Sequence, residues 1–119
     1  MFVCEIKRMN KKLKASQVIE DIFKLCLFLD NKYFKKYTFF YAVFILVRGT
    51  ICDIRNFLKE KPNVVIKPKT KNSKKLWMSY DTFYKTYKNK FGRIVCVSYH
   101  NGVVSFESLD KILLCDNKE

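Results

Sequence analysis

Gly92-Arg93-Ile94-Val95-Cys96-Val97-Ser98-Tyr99-His100-Asn101-Gly102-Val103-Val104-Ser105 reads as a β-hairpin. Its apolar run meets Asn101-Gly102, and Asn-Gly is a strong short hairpin signal because both residue types tolerate positive φ. Strands are expected over Gly92–Tyr99 and Val103–Phe106, joined by the turn His100-Asn101-Gly102. A last short strand is expected at Ile112–Cys115. Just upstream, residues 67–75 (Lys-Pro-Lys-Thr-Lys-Asn-Ser-Lys-Lys) hold five lysines and no apolar side chain, the signature of a loop. Between loop and hairpin, Leu76–Ser79 reads as a strand and Tyr80–Lys90 as a helix.

The N-terminal side is predicted in the same way. Residues 1–15 carry Lys7, Arg8, Lys11, Lys12 and Lys14 and are expected to form a basic arm. Ser16 is a suitable N-cap for a helix reaching Asn31. In that helix Val18, Ile19, Ile22, Phe23, Cys26 and Leu29 repeat at helical spacing, with Glu20, Asp21 and Lys24 opposite. A strand at Tyr33–Tyr37 follows. Phe39–Val47 is apolar on every side, so periodicity does not separate strand from helix. Arg48-Gly49 resembles a glycine-capped helix end and tips the expectation towards helix. Thr50–Leu58 and Asn63–Lys67 read as strands about a Glu60–Asn63 turn holding Pro62. The expected fold class is α+β: an N-terminal α-β-α-β-β layer packed on a small C-terminal antiparallel β-sheet with one helix. The expected divisions are an arm (1–15), an N-terminal α/β half (16–70) and a C-terminal half (71–119).

Charge points to the partner. The 119 residues include 24 Lys plus Arg against 11 Asp plus Glu, a net charge of +13. Such an excess favours phosphate-rich partners, because each neutralised phosphate releases a condensed counterion. Abundant Lys, Asn, Phe, Tyr and Ile match AU-rich codons, which explains lysine in place of arginine but not the shortage of acids. From Lys59 to Lys90 ten lysines face only Glu60 and Asp81. Residues 94–119 hold only Lys111 and Lys118 against Glu107, Asp110, Asp116 and Glu119.

Other chemistries find little support. The five cysteines show no C-x-x-C spacing, and His100 is the single histidine, so neither a metal nor another cofactor is expected. Free Cys beside apolar runs behaves as a small hydrophobe, and the odd count favours reduced thiols. The three glycines form no phosphate-cradling loop, no G-x-S-x-G element exists, and no enzyme is expected. Neither a membrane nor a small-molecule substrate is an expected partner. The best binding candidates are the lysines of the loop, Lys67, Lys69, Lys71, Lys74 and Lys75, with Trp77 as an aromatic face for an unpaired base.

Ser73-Lys74-Lys75-Leu76-Trp77-Met78-Ser79-Tyr80-Asp81, followed by Gly92 through Ser105, resembles the C-terminal half of the universal small-subunit ribosomal protein eight family. The spacing from Gly92 through Ser98 and Gly102 to Ser105 matches that family's pattern without a gap. Upstream, Arg48-Gly49-Thr50-Ile51 looks like its Glu-Gly-Tyr-Ile turn. The family's Pro-Gly turn and closing Gly-Gly-Glu are absent, and Tyr99 stands where the family has threonine. The resemblance implies a structural constituent of the small ribosomal subunit that binds the central domain of small-subunit ribosomal RNA, supports its assembly and touches neighbouring ribosomal proteins. It implies an RNA-facing surface of Ser98, Tyr99, His100, Asn101, Gly102 and Ser105. A ribosome in the mitochondrial matrix fits the codon bias, with a plastid or an AT-rich bacterium as alternatives. A generic RNA- or DNA-binding module and a protein–protein adaptor with a solubilising basic surface are the rival readings.

Overall fold

The computed structural model describes residues 1–30, 39–66 and 76–116. Seven residues at the start, Phe2–Arg8, form strand β1, which lies parallel to β2 (Tyr41–Val47) with Phe2 opposite Tyr41 and Arg8 opposite Val47. Between them runs α1 (Ala15–Leu29). The expected basic arm is therefore in large part a sheet strand. Its alternation Phe2, Cys4, Ile6 against Val3, Glu5, Lys7 is the period of a β-strand.

β2 also corrects an expectation, that of a helix over Phe39–Val47. Seven residues with Val43, Ile45 and Val47 β-branched suit a strand, and a strand between two parallel neighbours reads as an unbroken apolar run. Helix α2 (Ile51–Lys59) then replaces the strand expected at Thr50–Leu58. Thr50 caps it: its hydroxyl accepts from the Asp53 N–H at 3.1 Å, and the Asp53 carboxylate accepts from the Thr50 N–H at 2.8 Å. This reciprocal box satisfies two helix-end donors at once. Arg48, not Gly49, takes the positive φ of 63° at the strand-to-helix corner. Gly49 is needed for space, because a Cβ there would lie 2.3 Å from Cδ2 of the buried Leu46.

Strands β3 (Val64–Ile66) and β4 (Leu76–Met78) pair antiparallel as a separate two-stranded sheet beside α1. Helix α3 (Tyr80–Tyr87), capped by Ser79, runs into a 3-10 turn (Lys88–Arg93). Strands β5 (Ile94–His100) and β6 (Val103–Ser108) form the expected hairpin, with Asn101 at φ 50° and Gly102 at φ 79°. The strand expected at Ile112–Cys115 is instead part of helix α4 (Leu109–Asp116), which buries Leu109, Ile112 and Leu113. The expected strand at Tyr33–Tyr37 and the loop 67–75 lie outside the described residues.

The fold is mixed α+β. Its main sheet has the order β1-β2-β5-β6, parallel except for the last pair. Strands from both sides of the boundary expected at residue 70 thus share one sheet. Successive right-handed crossovers moving the same way along a sheet place their helices on the same face. Ala42, Phe44 and Leu46 of β2 and Ile94 and Cys96 of β5 point into that helical layer and are buried. Phe23 lies at its centre, with ring centroids 5.1 Å from Phe83 and 5.2 Å from Tyr87. Arg93 ties the strand entrances together, donating from Nε to the Phe40 carbonyl at 2.7 Å and from a terminal nitrogen to the Phe39 carbonyl at 2.8 Å.

Residues of opposite parity form the other face. In register they give the rows Ile6–Ile45–Val97–Phe106 and Cys4–Val43–Val95–Ser108. No described helix covers these rows: Ile6 is 64% and Phe106 75% exposed.

Candidate nucleic-acid interface

Three parallel strands end at the same edge of the sheet. β1 ends at Arg8, β2 at Val47 just before Arg48, and β5 at His100. Open sheets of parallel strands bind ligands beyond these carboxyl ends, where the following turns converge. After β1 the chain closes a tight turn: Met9 N–H donates to the Val47 carbonyl at 2.8 Å, and Lys12 N–H to Oδ1 of Asn10 at 2.8 Å. That turn carries Lys11 and Lys12 in solvent, next to exposed Arg8 and Lys14. Arg48 is also exposed, and its backbone carbonyl lies 3.3 Å from Nδ1 of His100. The histidine ring thus bridges the β2 corner and the hairpin.

The electrostatics of this edge have one sign. Arg8, Lys11, Lys12, Lys14 and Arg48 make no salt bridge among the described residues, and no acid lies within residues 8–14, 47–52 or 98–105. Asp53, the next acid along, is engaged by the Thr50 cap. Helices α1 and α2 both begin here, each following a strand's carboxyl end, and their N-terminal dipoles add positive potential. α1 has no acidic residue in its first turn to offset it. The edge can hold phosphate groups with cations while the half-exposed Tyr99 and the His100 ring offer faces for a base or ribose.

The residues expected to face RNA are distributed unevenly. Tyr99, His100, Asn101 and Gly102 do come together at the exposed hairpin end. Ser98 does not: it is 3% exposed, on the helical face of β5, and cannot touch a nucleic acid. Strand alternation requires this, because Tyr99 and Ser98 must point to opposite faces. Ser105 pairs with Ser98 across the hairpin yet is exposed, beyond the cover of the helices. Lys67, Lys69, Lys71, Lys74 and Lys75 lie outside the described residues. Trp77 is placed by its backbone opposite Val65, and its side chain is not described. Sequence reasoning does not reach Arg8, Lys11, Lys12 and Arg48 as site residues, because only parallel pairing of β1, β2 and β5 brings them to the hairpin.

Cys26 and Cys96 are buried in the core, and burial pushes the Cys96 thiol up to about 12 and raises the Cys26 thiol as well. Among the described residues no three His, Cys, Asp or Glu side chains group as a metal site, and no helix is long and apolar enough to cross a membrane. No family model, curated protein or solved structure matches this chain.

Proposed function

We propose that this chain is a non-catalytic RNA-binding protein that grips the sugar–phosphate surface of folded RNA with the edge formed by Arg8, Lys11, Lys12, Arg48 and the hairpin residues Tyr99 to Gly102. The observation carrying this reading is the convergence of these cations and rings on one edge, whose nearest acid, Asp53, is held in the Thr50 cap. The net charge of +13 supports it as well. The resemblance over Ser73–Ser105 nominates the RNA: the central domain of small-subunit ribosomal RNA, bound as part of a ribosomal subunit. In this reading small polar groups and the glycine backbone of the turn approach 2′-hydroxyls in the shallow minor groove of A-form RNA. Ser98 drops out of the recognition surface and the Arg8–Arg48 edge enters it.

Filter binding over a salt series tests this. The triple substitution Arg8→Gln, Lys11→Gln, Lys12→Gln should make the slope of log K against log salt shallower by about 0.7–0.9 for each phosphate that is no longer neutralised. A slope equal to that of the unmodified chain removes this edge from the interface. A central-domain fragment should bind more tightly than unrelated RNA of equal length. Equal affinities would favour a generic module, and no binding to any RNA would favour an adaptor.

A further inference from the structure

We propose that the open face of the main sheet is a self-association surface, on which a second copy of this chain packs sheet against sheet as a two-fold dimer. This goes beyond RNA binding: the two surfaces share only Arg8 and Tyr99, where the open face meets the strand ends, and the centre of the face lies outside the RNA-gripping edge. The centre of the face is Val43, Ile45, Val95 and Val97, flanked by Ile6 and Phe106, in the register given above. Its only charged position is Arg8, at one corner, so closing two such faces buries almost no charge. The other described cations sit on the helical layer or around the strand ends, and back-to-back packing turns the helical layers outward.

Area favours a second copy. At about 150–250 Å² per aromatic side chain, the exposed parts of Phe2, Tyr41, Tyr99 and Phe106 leave roughly 500 Å² on this face. The aliphatic side chains bring it to on the order of 800 Å², the share that each partner contributes to a standard stable interface. An apolar sheet face with its one charge at a corner can complement itself under a two-fold axis. Facing sheets of this kind interdigitate at about 10 Å separation. The branched aliphatic centre of the face packs well in such a sandwich.

The test uses the full chain freed of RNA by nuclease and high salt. Sedimentation velocity should give about twice the monomer mass of 14.3 kDa at tens of micromolar. Ile45→Lys should weaken association by roughly 100-fold or more, because it places a charge in the middle of the interface, while RNA affinity is unchanged. A chain that stays at the monomer mass throughout overturns the proposal and assigns the face to some other partner. So does an Ile45→Lys chain that dimerises like the unmodified one. Cys4 gives a readout without substitution, since it lies exposed on this face while Cys52 is exposed on α2. Between dilute and concentrated protein, alkylation of Cys4 should slow about tenfold, in proportion to the dimer fraction, with Cys52 unaffected. Equal rates for Cys4 at both concentrations overturn the proposal even if the lysine variant fails to fold.

Discussion

Asp21 shows how one residue can be misread by position alone. Its place beside Glu20 suggests an outward helix face, yet it is 4% exposed. Lys7 of β1 comes within 3.0 Å of its Oδ2 and Lys24 within 3.7 Å of Oδ1. The Lys7 contact is Coulombic, because Oδ2 accepts no aligned hydrogen bond. Nothing in residues 18–24 reveals this; the partner comes from a strand that reads as a free arm. Lys7→Met leaves the buried carboxylate with only the longer Lys24 contact and should cost about 1–2 kcal/mol in urea unfolding, less than for a fully buried pair because Lys7 is 30% exposed. Asp21→Asn added to Lys7→Met should recover part of that stability. Equal midpoints for Lys7→Met and the unmodified chain would show that the pair contributes nothing. Asn101 and Gly102 are the opposite case. Their turn geometry is dictated by their own backbone preferences and is legible without tertiary information.

At the level of elements, legibility follows how local the cause is. α1 is clear because one amphipathic stripe spans four turns, and the β5–β6 hairpin because its turn chemistry is specific. β2 and α2 exchange their expected types. An all-apolar stretch such as Tyr41–Val47 has no period to read, and its short length is the better guide. The signal for α2 is present in Thr50-Ile51-Cys52-Asp53, whose first and last residues make the capping box. Thr50→Ala removes the hydroxyl that accepts from Asp53 N–H and should destabilise the chain by about 1 kcal/mol in chemical unfolding. Thr50→Ser should restore most of it. If both variants unfold with the midpoint of the original, the cap is energetically silent. α4 escapes notice because Ile112–Cys115 taken alone looks like a strand, and its burial against α2 and the 3-10 turn is a long-range fact.

For the molecule as a whole, the mixed α+β architecture is foreseeable, but the pairing of β2 with β5 is not, since it joins residues about fifty positions apart. The edge proposed to bind RNA depends on the same pairing and is hidden for the same reason. The single helical layer also governs the thiols. Buried Cys26 and Cys96 stay protonated in the native state above their ordinary value of 9.0, whereas in the unfolded chain they ionise there. Their contribution to stability is therefore intact below pH 9 and declines as pH rises towards 12. The double substitution Cys26→Ala, Cys96→Ala should flatten that decline in alkaline unfolding curves, and an unchanged slope would place its origin elsewhere. The strand order has a further effect during synthesis. β2 is made some fifty residues before β5, with β1 to pair with on one side, so this chain's central strand stays apolar on both faces and half-paired until β5 follows. A slow stretch of codons between β2 and β5 would lengthen that exposed interval, making that part of the message a point where folding yield is set.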